Sequence, residues 1–224
     1  MRGLAAVPRH KETLVVATTN RGKLQELRDL LEGLPVDVQS VADLLPDPPQ
    51  VVEDGETFEA NAKKKAATVA RLTMMMTLAD DSGLEVDALE GRPGVRSARF
   101  AHPRATDAEN NAALLSALEA LADAETSHGA RFRCVLALVD PFTNGGEPQT
   151  VEGVCEGAIA RTPRGSGGFG YDPLFLVADT GKTMAELDPS EKNQISHRAR
   201  AFAALRPLLE RVLAERADQT ARAV

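Results

Sequence analysis

RFRCVLALVD at residues 131–140 puts Phe132, Cys134, Leu136 and Leu138 on alternate positions, the period at which side chains share one face of an extended chain. The turn-rich stretch DPFTNGGEPQ at 140–149 separates this run from VEGVCEGAIA at 151–160, so the two read as an antiparallel hairpin. Upstream, LVVA at 14–17 suits a buried strand. After it, Leu24, Leu27, Leu30, Leu31 and Leu34 recur at helical spacing up to the Gly33-Leu34-Pro35 stop. Strands that alternate with helices but include an antiparallel hairpin predict an α/β protein with a mixed sheet.

The remaining segments extend this pattern. Residues 36–41 read as a strand, 45–50 as a proline-rich loop and 57–76 as a long alanine-rich helix. Within that helix Lys63, Lys64 and Lys65 read as a solvated face. Residues 77–79 read as a short strand ending in Asp80-Asp81-Ser82-Gly83, which is good turn chemistry. Thr106 and Glu109 form a capping box that opens a helix through Leu121. A glycine-rich loop at 161–170 precedes a strand at 174–177, and a last helix runs over 196–215, where Pro207 is expected to kink it or cap a second piece. Residues 1–13 and 217–224 read as loose tails, leaving one domain over 14–216.

Composition narrows the function. With 26 Lys and Arg against 33 Asp and Glu, the chain carries a formal charge of −7, a poor match for a nucleic-acid backbone, which rewards clustered positive charge. No apolar run approaches the roughly 20 residues a membrane span needs, and no signal-peptide core is visible. Cys134 and Cys155 lack metal-ligand spacing and are too few for a disulfide framework. A reducing, cytoplasmic setting is the expectation.

Four segments carry candidate chemistry. Thr18, Thr19, Asn20, Arg21, Gly22 and Lys23 lie between a strand and a helix, where free backbone N–H groups and the helix dipole suit a phosphate. Asp80 and Asp81, followed by Ser82, offer a carboxylate that could hold Mg²⁺ and deprotonate water, with Glu53 as a further oxygen ligand. Adjacent residues of an extended segment face opposite ways, so only one aspartate should enter a cleft. GSGGFGYD at 165–172 contains a formal G-x-G-x-x-G, but it leads into a strand and so is no dinucleotide fingerprint. Its Phe169 and Tyr171 either stack on a planar base or pin the loop into the core. Finally, Lys192, His197 and Arg198 open the last helix, with Lys192 suited to phosphate and the other two to a ligand carbonyl oxygen.

Six motifs in order resemble the non-canonical purine NTP pyrophosphatase (inosine triphosphatase) family: TTNRGK at 18–23, TFEANA at 57–62, ADDSGLEVDAL at 79–89, GRPGVRSARF at 91–100, GGFGYDPLF at 167–175 and EKNQISHRARA at 191–201. The resemblance implies an elongated mixed sheet flanked by helices, two lobes around a central nucleotide cleft, and a homodimer. It implies Mg²⁺-dependent cleavage of ITP, dITP and XTP between the α- and β-phosphates, releasing monophosphate and pyrophosphate. Carried over by position, Asp81 is the general base and a Mg²⁺ ligand. Thr18 to Lys23, Ser82, Lys192 and the Phe169, Gly170, Tyr171 and Asp172 segment line the site. Phe169 stacks on the base, while His197 and Arg198 read its edge. One departure stands out: where some relatives have an acidic metal ligand three residues before the glycine matching Gly55, this chain has Val52, with Glu53 beside it. The alternatives are a pyrophosphatase for pyrimidine or other modified triphosphates, or a nucleotide sensor without turnover.

Overall fold

The computed structural model describes residues 11–121 and 128–222, so residues 1–10 and 223–224 of the expected tails lie outside the described residues. Among the described residues six strands form one sheet: β1 (Glu12–Val16), β2 (Val36–Ser40), β3 (Met76–Val86), β4 (Gly129–Val139), β5 (Gln149–Ile159) and β6 (Phe175–Val177), in spatial order β2-β1-β3-β4-β5-β6. β1 runs parallel to β2 and to β3, and every later pair is antiparallel. The expected mixed sheet is therefore present, with β4 of the 131–160 hairpin at its centre and β5 next to the edge strand β6. The helices are α1 (Arg21–Leu30), α2 (Val41–Leu44), α3 (Phe58–Thr73), α4 (Asp107–Glu119), α5 (Pro189–Ile195) and α6 (His197–Arg222).

β4 is buried on both faces over its second half. Cys134, Leu136 and Leu138 pack with Leu27 of α1 and with Phe202, Leu205 and Leu209 of α6. Val135, Ala137 and Val139 meet Ala62, Ala66 and Val69 of α3 on the opposite face. A separate core gathers Leu84 and Val86 of β3, Phe132 of β4, Leu114 and Leu118 of α4, and Tyr171 and Phe175. β3 and β4 each have 11 residues, about 36 Å at the usual rise, so both run from the first pair of cores into the second. Asp80–Gly83 falls between the two ends of β3, where neither core claims its side chains.

Local expectations fail in several places. Glu12 and Thr13, expected in the loose N-terminal tail, belong to β1, and Lys192, expected to open the last helix, stands in the separate α5. Asp80-Asp81-Ser82-Gly83 is not a turn: these residues continue β3 and pair with Leu136, Val135, Cys134 and Arg133 of β4, because a full ladder to a buried neighbour outweighs local turn preference. The long third helix stops at Thr73, capped by Met74 at φ 54°, since Met76 already belongs to β3. Residues 217–222 are no loose tail but continue α6, which also runs unbroken through Pro207.

Candidate active site

β1 ends beneath the loop that launches α1. Thr18 Oγ1 accepts the N–H of Asn20 at 3.1 Å, and Asn20 Oδ1 caps the helix by accepting the N–H of Lys23 at 3.1 Å. No acidic side chain stands in the first turn of α1, so its positive end is uncompensated. The cap directs Lys23 across to β3, where its Nζ donates to Asp80 Oδ1 at 2.7 Å.

The strand geometry of β3 sends Asp80 and Ser82 to the face covered by α1 and α6, and Asp81 to the face covered by α3. Asp80 is fully buried and accepts from Lys23 Nζ, Ser82 Oγ, Arg198 Nε and Cys134 Sγ. Burial opposes its charge, but Arg198 and Lys23 outweigh that and hold the carboxyl well below the usual range. Arg198 is 1% exposed and has all three nitrogens engaged: Nε with Asp80 at 2.8 Å, one terminal nitrogen with Glu26 of α1, the other with Ser82 Oγ at 3.0 Å. Glu26 also binds Lys192 Nζ at 2.6 Å, and Lys192 reaches Asp172 at 2.7 Å. Asp172 in turn accepts the backbone N–H of Phe169. A chain of alternating charge thus connects Lys23 to Phe169 through Asp80, Arg198, Glu26, Lys192 and Asp172.

Across the sheet, Lys65 Nζ donates to Asp81 Oδ1 at 2.7 Å, to Glu53 Oε1 at 3.0 Å and to the carbonyl of Asp80 at 2.8 Å. Lys65 is therefore no part of a solvated face. Lys63 and Lys64 keep that description, pairing on the surface with Glu59 and Asp54. Burial works against the charge of Lys65, yet Asp81 and Glu53 raise its pKa and keep it protonated. Burial pushes the Asp81 carboxyl above its ordinary value despite Lys65, making it a better proton acceptor once ionised.

Two cavities meet here. One of about 560 Å³ is walled by Thr18, Thr19, Glu53, Lys65, Asp80 and Asp81, so both aspartates, and not one as expected, border it. The other, about 100 Å³, is edged by Phe169, Gly170, Tyr171, Lys192, His197 and Arg198. They share Asn20, Lys23, Ser82 and Ala98 as common wall, which makes them two ends of one cleft. Of the residues singled out in the sequence, Arg21 and Gly22 line neither end. Gly22 has a packing role instead: a Cβ there would come within 2.5 Å of the Phe169 ring. The two aromatics of the glycine loop differ in burial. Tyr171 joins the core and bonds the carbonyl of Ser97 through its hydroxyl. Phe169 stays half-buried at the cleft, its ring centroid 5.1 Å from Lys192 Nζ and 5.8 Å from the Arg198 guanidinium carbon. His197 stacks on Phe132 at 4.7 Å with its buried Nδ1 unpartnered. Burial and the nearby Arg198 charge lower its pKa well below the usual value, so the ring is neutral.

The model of the Ham1 family matches residues 14–208. The chain belongs to the Ham1 family. Over 193 residues it is 53% identical to the dITP/XTP pyrophosphatase of Geobacter sulfurreducens, covering 86% of this chain and 94% of that protein. A dITP/XTP pyrophosphatase of Syntrophobacter fumaroxidans is 51% identical over 200 residues, 89% of this chain and 83% of that one. The structure of a HAM1 protein from Coxiella burnetii superposes with TM-score 0.79 at 44% identity, over 89% of this chain and 99% of the other. The family resemblance drawn from the six motifs is borne out.

Lys65, which walls this Ham1-family cleft, and Glu26, which holds Arg198 and Lys192 beside it, are among the charged residues that escape the motif reading. Lys65 lies on the buried stripe of α3 with Phe58, Asn61, Ala62, Ala66 and Val69, a helical spacing that the lysine run obscures. Glu26 stands three residues after Lys23 and so shares its helix face, the only signal it offers.

Proposed function

We propose that this protein hydrolyses ITP, dITP and XTP to the monophosphate and pyrophosphate, clearing them from the nucleotide pool through a single domain. The continuity of the two cavities carries this reading: one end offers lysines and carboxylates for a polyphosphate, the other an aromatic ring and buried donors for a flat base. Its relatives named dITP/XTP pyrophosphatase support dITP and XTP among these substrates.

The donor set around Lys65 fits a divalent cation. One ammonium between two carboxylates leaves a formal negative charge among oxygen ligands, and Mg²⁺ typically takes one or two carboxylates together with substrate phosphates. Asp81 and Glu53 would hold it, and when bound it neutralises charge on the phosphate oxygens. Lys23 and the α1 N-terminus orient the triphosphate. Asp81 accepts the proton of the water consumed as the α–β anhydride opens and pyrophosphate departs. At the other end Phe169 stacks on the purine. Arg198 has two guanidinium N–H groups beyond those held by Asp80, Glu26 and Ser82. An oxygen at the purine six position accepts from such donors, whereas the adenine amino group would set donor against donor.

The working form we propose is a cytoplasmic homodimer that engages neither polymeric nucleic acid nor membrane. Both cysteines are free and buried, and among the described residues no helix is long and apolar enough to cross a membrane. Light scattering on the purified protein checks the dimer. The activity is tested with a panel of ITP, dITP, XTP, ATP, GTP and dTTP, assaying pyrophosphate and orthophosphate separately. Pyrophosphate from ITP and XTP is expected; a preference for dTTP, or orthophosphate as product, overturns the assignment.

A further inference from the structure

Residues 161–168 are exposed, and burial begins only at Phe169. At that boundary α4 takes hold of the loop. Asp107 Oδ2 accepts the N–H of Gly170 at 2.7 Å, and Asn111 Nδ2 donates to the carbonyl of Gly170 at 2.9 Å. The two side chains stand one turn apart on α4, so a single helix face grips both polar groups of one residue. Such a two-point grip fixes orientation as well as position. Gly170 sits at φ 63°, the left-handed region that favours glycine. The helix is itself anchored: its Thr106–Glu109 capping box is complete, and Asn110 bonds the carbonyl of Ala98 and the N–H of Ala101. Leu114 and Leu118 bury the rest of its inner face in the second core.

We propose that Asp107 and Asn111 are positioning residues that set the Phe169 ring over the base end of the cleft through Gly170. This rests on the reading that Phe169 stacks on the purine. Neither residue belongs to any of the six motifs, and the helix they stand on is already capped by Thr106 and Glu109. Asp172 and Tyr171 anchor the loop just after Phe169, and the grip of Asp107 and Asn111 on Gly170 adds the hold from the α4 side. Tightening or loosening this grip changes how well the ring is placed before substrate arrives, so it acts on binding and leaves the chemistry at Asp81 alone.

The chain contains no tryptophan, so Phe169→Trp supplies a single indole reporter at the ring position. In that background Asn111→Ala and Asp107→Ala should increase acrylamide quenching and lower anisotropy of the substrate-free protein, while Asp107→Asn, which keeps an acceptor for the Gly170 N–H, should not. In the parent protein Asn111→Ala and Asp107→Ala should each raise KM for ITP about fivefold, the scale of one lost hydrogen bond, with kcat held. Asp107→Asn should restore KM. Unchanged quenching overturns the proposal, as does raised quenching with unchanged KM while Phe169→Ala still raises KM. If Phe169→Ala also leaves KM for ITP unchanged, the stacking reading itself has failed and the proposal falls with it.

Discussion

Asp80 and Asp81 are neighbours in one strand, yet their carboxylates sit on opposite faces of the sheet and hold different cations. Asp80 binds Lys23 and Arg198, and Asp81 binds Lys65. The first joins the two ends of the cleft through Lys23 and Arg198. The second is the proton acceptor in the function we propose.

Asp81→Asn keeps the shape of the side chain and removes its basicity. Turnover of ITP should fall by about 10²–10⁴, the range expected for a lost general base, with the far-ultraviolet circular dichroism spectrum unchanged. Near-normal kcat would take Asp81 out of that role.

Lys65→Met leaves Asp81 and Glu53 facing each other without their shared cation. Breaking a buried pair in this way costs about 3–5 kcal/mol, so the urea midpoint and kcat should both drop. Lys63→Ala and Lys64→Ala remove exposed surface pairs, which solvent screens, and should change neither measurement appreciably.

That contrast shows where sequence reading stops. Alternation reveals the first half of β4, where Ala130, Phe132 and Cys134 are buried between half-buried neighbours, whereas from Cys134 onward both faces are buried and the run is simply apolar. Asp80-Asp81-Ser82-Gly83 misleads because its residues favour turns locally, and only the distant partner strand makes them a strand. Three consecutive lysines look alike in a sequence, though helical geometry sends the third to the core side and leaves the others in water. Glu26 carries no local mark beyond its spacing from Lys23, since its significance comes from Arg198, 172 residues away. Residues 217–222 lack an apolar stripe that would announce a helix, with every side chain there exposed.

Arg198→Ala should narrow the preference for ITP over ATP. Glu26→Gln, which keeps the shape but removes the charge that holds both Arg198 and Lys192, should narrow it less. The ratio of kcat/KM for the two substrates reads this directly, and an unchanged ratio in Arg198→Ala would place base recognition elsewhere.

Activity and stability should respond to acid through different aspartates. Burial raises Asp81 above its ordinary 3.8, so as the base it should give kcat an acid limb above that pH. Asp80 is held below 3.8 in the folded state. Its stabilisation is therefore complete above the unfolded value and lost as pH falls through the lower folded one. Urea midpoints measured against pH should show a gap between wild type and Asp80→Asn that is widest above pH 3.8 and shrinks below it. A constant gap would mean that Asp80 is not the group responsible.

The most direct test is a crystal structure of Asp81→Asn with dITP and Mg²⁺. The triphosphate should lie between Lys23 and Lys65, with the hypoxanthine against Phe169 and its oxygen toward Arg198. A nucleotide lying in the reverse direction, or bound outside the cleft, would contradict the account.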